Sequence, residues 1–473
     1  MPVSPAYRPD PRFFDLGPDY SDAVKAADFP QTILRFRNDR AAAEVGLETL
    51  TDEEWIAAFG RFDPLPGQPG PVAMRYHGHQ FRHYNPDLGD GRGFLAAQMR
   101  ETPRAQAASD RVASDSAQGR LLDLGTKGSG RTPWSRDGDG RLTLKGGVRE
   151  VLASEMLEAL GVPTSRSFSL IETGEALDRG DEPSPTRSAV LVRLSHGHIR
   201  IGTFQRLAYH RNEDGLRRLT AYALRELYGE DSDDPLRLLA LVVERTARLA
   251  ASYMAAGFVH GVLNSDNINV TGESFDYGPW RFAPTWDPAF VAAYFDHAGL
   301  YAFGRQPEAI HWDAMQLAVS LRPLADAEPL IAILDTFGDL YQPAVAHAIL
   351  WRLGRAPLDA GRDRALVQAV ERALRGTGTA IDRFFFDAYA RDLPADYGAG
   401  WEEARAALAA FPVIGDRSHS FWSGAPCSML IDEVEAIWSA IDERDDWAPF
   451  HAKVTRINEM REALARCPLP QRG

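Results

Sequence analysis

Between Gly257 and Pro279 the chain reads Gly-Phe-Val-His-Gly-Val-Leu-Asn-Ser-Asp-Asn-Ile-Asn-Val-Thr-Gly-Glu-Ser-Phe-Asp-Tyr-Gly-Pro. His260 and Asn267 stand seven apart (267 − 260), and Asp276-Tyr277-Gly278 follows. In phosphotransfer enzymes the register H-R-D-x-x-x-x-N followed by D-F-G supplies an amide and a carboxylate to the metal ions that bridge nucleotide phosphates. Val262 occupies the place of that template's proton acceptor, and an isopropyl group accepts no proton. The nearest carboxylate is Asp266, beside Asn267. Asn and Asp also suit turns, and either piece alone reads as a turn. With both pieces at the paired spacing the two readings balance, and the rest of the chain must decide.

Several elements have to position these groups. A helix with Asp234 as N-cap and Pro235 at its first position carries Leu239, Val242, Val243, Thr246, Leu249 and Tyr253 on one period and stops at Gly257, which delivers the stretch above. Leu121-Leu122-Asp123-Leu124 reads as a strand running to Lys127 before a glycine-rich run, so this lysine is held by a sheet and can reach phosphates as a point charge. A helix from Val148 to Leu160, ended by Gly161 and Pro163, places Glu150 in its first turn, where the helix dipole favours a carboxylate. A strand lysine followed by a helix glutamate is also the ion pair of protein kinases, although spacing alone favours the simpler dipole reading.

Leu88 to Ala97 reads as a glycine turn entering a strand. There Gly89 and Gly91 permit close backbone approach to phosphates and Arg92 offers a guanidinium, although a tight hairpin is the commoner use of such a run. Further strands are expected at Ser167 to Ile171 and Ala189 to Leu194, separated by the polar turn Asp178 to Arg187, with Arg193 and Arg200 leaving the second where two lobes would meet. His77-Gly78-His79 has the look of a metal site, but no third ligand follows at a convincing spacing, so packed histidines are favoured. Glu101 to Arg120 reads as an exposed loop between strands. Later helices are expected at Ala309 to Leu321, Ala344 to Leu353, Arg362 to Arg375, Trp401 to Ala410 and Ile431 to Glu443. The first seventy residues show a helical patch at Asp52 to Phe59 and no recognisable chemistry.

A chain of 473 residues has ample length for a proper core. Its net charge of −14 argues against nonspecific nucleic-acid binding, which needs a basic footprint. Only Cys427 and Cys467 are present, so neither a disulfide framework nor a cysteine zinc site is supported. No apolar leader and no long apolar run occur, which points to a cytoplasmic protein without a membrane span.

Together these residues resemble the selenoprotein O family. The resemblance rests on Tyr76-His77-Gly78-His79-Gln80-Phe81, Leu88-Gly89-Asp90-Gly91-Arg92, Lys127 to Arg136, Gly138-Asp139-Gly140-Arg141, Arg149-Glu150, Gly257 to Gly261, Asn264-Ser265-Asp266-Asn267, Asp276 to Pro279, and Gln306-Pro307 with Trp312. It implies an α+β, protein kinase-like two-lobed fold: an N-lobe antiparallel sheet with one helix, and a larger, mainly helical C-lobe. The corresponding division is residues 1–70 as an extension on the core, 71–204 as the N-lobe with nucleotide-binding loops, 205–330 as the C-lobe with catalytic and metal-binding loops, and 331–473 as a helical region divergent from the family.

The activity it implies is protein adenylyl transfer, in which inverted ATP gives AMP to a Ser, Thr or Tyr hydroxyl of a protein and releases pyrophosphate, with UTP as a further nucleotide substrate when manganese is the metal. By the same resemblance Gly89, Gly91, Arg92, Lys127, Asp139, Gly140, Arg193 and Arg200 contact the nucleotide, Glu150 pairs with Lys127, Asn267 and Asp276 hold Mg²⁺ or Mn²⁺, and Asp266 accepts the proton. The expected partners are protein substrates, with no nucleic acid and no membrane, and the expected state is a monomer. Conventional γ-phosphoryl transfer and a catalytically inactive, nucleotide-binding pseudokinase scaffold are the alternatives. Beyond about Leu330 the family's usual motifs are missing, and the chain ends Arg466-Cys467-Pro468-Leu469-Pro470-Gln471-Arg472-Gly473, so redox control through the tail is in doubt.

Overall fold

The computed structural model describes residues 3–103, 119–180 and 183–467. Most of the loop expected at Glu101 to Arg120, and the tail beyond Cys467, lie outside the described residues. The fold is α+β. In chain order the strands are β1 (Ser21–Ala23), β2 (Ile33–Arg37), β3 (Val72–Met74), β4 (Gly78–Gln80), β5 (His83–Asn85) and β6 (Leu95–Arg100). They continue with β7 (Leu121–Lys127), β8 (Leu142–Thr143), β9 (Arg166–Leu177), β10 (Thr186–Ser195), β11 (Phe258–Val259) and β12 (Arg281–Phe282). The main sheet runs β1-β3-β6-β7-β10-β9-β2, with β8 against β10. Every pairing in it is antiparallel.

Strand β7 is central, and all of its residues are buried, which explains its short apolar run. Strands β9 and β10 form a hairpin with Val190 opposite Ile171 and Leu191 opposite Leu170. A register shift falls between Val192 and Arg193. Such bulges re-aim the side chain beside them, here Arg193. Both expected strands are therefore present, each several residues longer than the sequence pattern shows.

One face of the sheet packs against the helix Leu144–Ala159. Its Thr143 hydroxyl caps the first turn by accepting from the Gly146 amide at 3.1 Å. A Cβ on Gly147 would lie 2.5 Å from Leu170 Cδ1, so a glycine lets the helix settle directly on β9. On the opposite face Trp55, Ala41 and Val45 pack with Phe168, Val190 and Val192. Trp55 stacks on Phe168 with ring centroids 4.8 Å apart.

The helix Pro235–Ala256 has the expected caps: Asp234 accepts from the Leu236 amide at 2.9 Å, and Gly257 takes a left-handed conformation at φ 68°. It leads into β11, which pairs with β12. Residues 260–280 are thus an excursion whose two ends are tied together.

Further on, helices run Gln306–Leu321, Phe337–Arg352, Ala360–Thr377, Glu402–Leu408 and Ile431–Arg444. The second begins ahead of the expected Ala344 because Pro343 sits inside it, where a proline normally argues for a break. Helices at Ile201–Tyr209, Glu213–Tyr222, Ala327–Leu334, Ile381–Ala388 and Ala448–Leu464 had no separate expectation. Among the described residues no helix is long and apolar enough to cross a membrane.

Candidate active site

A cavity of about 700 Å³ opens between the glycine-rich turns of the sheet and the 260–280 excursion. The Nζ of Lys127, at the end of β7, is hydrogen-bonded to Glu150 Oε1, and both residues are buried. The same Nζ lies 2.7 Å from Asp276 Oδ1. Arg193 Nη1 reaches that oxygen at 3.2 Å, and Arg200 Nη1 lies 3.6 Å from Asp276 Oδ2. Three cations therefore converge on one carboxylate at the cavity wall. Burial would raise the Asp276 carboxyl, but Lys127, Arg193 and Arg200 overcome it and hold the group well below the usual carboxylate range. The backbone of Asp276 takes φ +66°, the left-handed region that Asp tolerates better than most residues.

Arg200 is more than a cavity-wall cation. Its Nη1 donates to the Asp266 carbonyl at 3.0 Å, its Nη2 to Asp90 Oδ1 at 3.2 Å, and its guanidinium lies 4.4 Å from the Tyr76 ring centroid and 4.7 Å from that of Phe275. Asp90 also accepts from the Met74 amide at 3.0 Å. In the sequence Asp90 is marked only by its place between Gly89 and Gly91 in a glycine turn.

Asp266 faces the same cavity, and its buried Oδ1 has no protein partner. Burial pushes its carboxyl up to about 7, with Arg200 pulling the other way. A Cβ on Gly78 would lie 2.6 Å from this Oδ1, so only glycine lets β4 pass so close to the carboxylate.

His260 is buried, and burial pushes its pKa down; its Nε2–H donates to the Phe275 carbonyl at 2.9 Å, which braces the chain just ahead of Asp276. Asn267 lies in the turn Ser265–Asn267 and donates from Nδ2 to the Val262 carbonyl at 3.0 Å.

Gly89, Gly91, Arg92, Lys127, Asp139, Gly140, Arg193, Arg200, Asp266 and Asp276 all line the cavity. Glu150 stands behind Lys127, and Asn267 stands beside the lining rather than in it. Asp139 is held by Arg179 at 2.8 Å, a cavity residue that sequence reasoning did not single out. His77 and His79 do not converge on a common point: His77 Nδ1 meets the Tyr84 hydroxyl at 2.8 Å, and His79 Nδ1 accepts from Gln205 Nε2 at 2.7 Å.

Among the described residues no group of three or more His, Cys, Asp or Glu side chains has metal-binding geometry. A hard divalent cation that travels with nucleotide needs only one or two carboxylates, the phosphates supplying further oxygens. The Asp276 carboxylate on the cavity wall meets that requirement, and the Asn267 amide stands beside the lining with its Nδ2 already turned to Val262, so the residues present fit such an ion.

Near this wall lies a second unpartnered acid. Asp313, on the helix Gln306–Leu321, is buried with neither oxygen hydrogen-bonded. Burial, reinforced by Asp266, pushes its carboxyl well above the ordinary range. A raised folded-state pKa contributes stability below the unfolded value near pH 4, and that contribution is lost as pH rises. Asp313→Asn is therefore expected to raise the melting temperature at pH 8 by roughly 2–4 °C, the shift about 1 kcal/mol produces in a large domain, and to leave it unchanged near pH 4. Thermal melts of both proteins at the two pH values check this.

The profile of the family described as "Protein adenylyltransferase SelO" matches residues 6–406. Among curated proteins, the protein nucleotidyltransferase YdiU of Gloeobacter violaceus is 44% identical, over 95% of this chain and 95% of the relative. The protein of the same name from Synechocystis is 41% identical, over 95% of this chain and 97% of the relative. That of Azotobacter vinelandii is 36% identical, over 97% of this chain and 84% of the relative. A cavity lined by glycine turns, fixed cations and several carboxylates agrees with these likenesses, and the chain is an enzyme that belongs to the SelO family of protein nucleotidyltransferases.

Proposed function

We propose that the protein transfers AMP from ATP to Ser, Thr or Tyr hydroxyls of other proteins and releases pyrophosphate. The antiparallel sheet and the helical part act as the two lobes of a kinase-like fold, divided near residue 204, with ATP inverted in the cavity between them. The reading rests above all on the convergence of Lys127, Arg193 and Arg200 around Asp276. Attack at the α-phosphorus expels pyrophosphate, whose charge builds as the bond breaks. Oriented, fixed cations stabilise that charge without reorganising.

Each residue then has a distinct task. Lys127, Arg92, Arg193 and Arg200 bind phosphate oxygens, and Glu150 fixes the lysine amine in place. Gly89, Gly91 and Gly140 allow the backbone to approach the nucleotide, and Asp139 lies at its edge. Asn267 and Asp276 would hold Mg²⁺ or Mn²⁺, which supplies charge neutralisation across the phosphates. With Val262 in place of the usual base, Asp266 takes the proton from the attacking hydroxyl, and its elevated pKa suits an acceptor near neutral pH. UTP in place of ATP, with manganese, extends the same geometry to uridylyl transfer.

ATP labelled at the α or the γ position tests the reaction. Covalent labelling of protein from the α position alone is expected. Label from the γ position alone would mean conventional phosphoryl transfer, and label from neither would mean a nucleotide-binding scaffold.

A further inference from the structure

Glu150 reaches Lys127 only if the helix Leu144–Ala159 keeps its rotation and height, and the side of this helix turned away from Lys127 is gripped by the last two described helices. Arg461, on the helix Ala448–Leu464, donates from Nη2 to the Glu155 carboxylate at 2.6 Å and to the Glu155 carbonyl at 3.1 Å, and lies 3.5 Å from Glu158. Lys145 meets Glu435, on the helix Ile431–Arg444, at 2.7 Å, and Arg149 lies 3.7 Å from the same carboxylate. Glu155 is buried and also accepts from Asn38 Nδ2 at 3.0 Å, so its carboxylate is fixed on both sides. Ile457 and Met460 share the apolar core that holds Val148, Val151 and Leu152.

A further set of contacts ties this pair of helices to the sheet edge. Asp445 bridges Arg35 at 3.1 Å and Arg187 at 2.7 Å, and Arg187 donates to the Ile441 carbonyl at 3.0 Å. Glu435, Ile457, Met460 and Arg461 lie beyond residue 406, where the family profile stops matching, whereas Asn38 lies within the match.

We infer that residues 431–464 act as a built-in clamp on the Glu150 helix, with Arg461 as a positioning residue that acts on the reaction through Glu150 and Lys127. Helices of this kind, carrying the partner of a nucleotide-binding lysine, are elements whose displacement switches activity. Here the helix is held in place by buried and bidentate contacts from its own chain, so the Lys127–Glu150 pair is formed before nucleotide arrives. The inference rests on the proposed adenylyl transfer only for its readout.

A double-mutant cycle on transfer of the α label tests it. Arg461→Ala is expected to lower kcat about tenfold, within the range for residues coupled through one network, with little change in the KM for ATP. Arg461→Lys should restore part of the loss. In a Glu150→Gln background, Arg461→Ala should have almost no further effect on kcat. Lys145→Ala, which breaks a solvent-facing pair, should lower kcat in the same direction with little loss of stability. As a control, Arg355→Ala removes donors to the Phe411 and Arg391 carbonyls, away from this helix, and should lower the melting temperature while kcat is kept below the melt.

Equal multiplicative losses from Arg461→Ala in the wild-type and Glu150→Gln backgrounds would overturn the clamp, as would a loss of stability with kcat unchanged. No α-label transfer by the wild-type protein would instead remove the adenylyl-transfer reading, and the clamp's catalytic role with it.

Discussion

Asp276→Asn is expected to cut α-label transfer to below about 1% of wild type, in line with the hundredfold or larger losses that follow removal of a fixed charge from a reacting phosphate or oxyanion. Asn suits the left-handed backbone at φ +66°, so the change leaves the local turn intact. What it removes is the negative charge toward which Lys127, Arg193 and Arg200 are turned. Lys127 keeps Glu150 and Arg200 keeps Asp90, but three crowded cations would then share less counter-charge, which should make the nucleotide-free protein less stable, and ATP phosphates should compensate part of that loss. The measurement is label transfer beside melts with and without ATP. A folded Asp276→Asn protein with wild-type transfer would exclude a metal or phosphate role for this carboxylate.

The two arginines should separate. Arg193→Ala is expected to weaken ATP binding at least tenfold and AMP binding little, because AMP lacks the β- and γ-phosphates that its planar fork would hold. Arg200→Ala should affect both nucleotides and also destabilise the fold by about 3–5 kcal/mol, the usual cost of stranding buried charges. Asp90 and Asp276 would each lose a partner, and the Asp266 carbonyl would lose a donor. Calorimetric titration with ATP and AMP, beside a denaturation curve, distinguishes the outcomes. Equal losses for ATP and AMP in Arg193→Ala would place that residue at the adenosine end and count against an inverted nucleotide.

Lys127 at a strand end and Glu150 on a helix were legible, but their pairing was not legible from spacing: the helix begins at Leu144 rather than Val148, so Glu150 lies past the first turn where the dipole reading puts it. The role of Arg200 as a hub was not legible either, since its partners Tyr76, Asp90 and the pair Asp266 and Asp276 come from three separate stretches that only the tertiary fold assembles. Asn267 illustrates a subtler limit. The register with His260 located it, but not the bond from its amide to the Val262 carbonyl, in which the valine takes part through its backbone. The helix Ala448–Leu464 escaped notice because charged Arg461 and Lys453 lie on its packed side, which blurs the apolar stripe. Pro449 in its first turn was the remaining signal.

Both outer strands of the main sheet, β1 and β2, come from the first forty residues, one pairing with β3 and the other with β9. As the chain leaves the ribosome, Ile33 of β2 must wait for its partner Glu172 on β9, 139 residues later (172 − 33), before β2 can take its place in the sheet. Short strands from the oldest segment therefore form both edges of the sheet, the second only once β9 has been made. A chain lacking this segment would present β3 and β9 as open edges, the kind of surface that recruits another strand and begins aggregation. In this enzyme the opening residues serve as edge protection for the layer that carries Lys127 and Arg193.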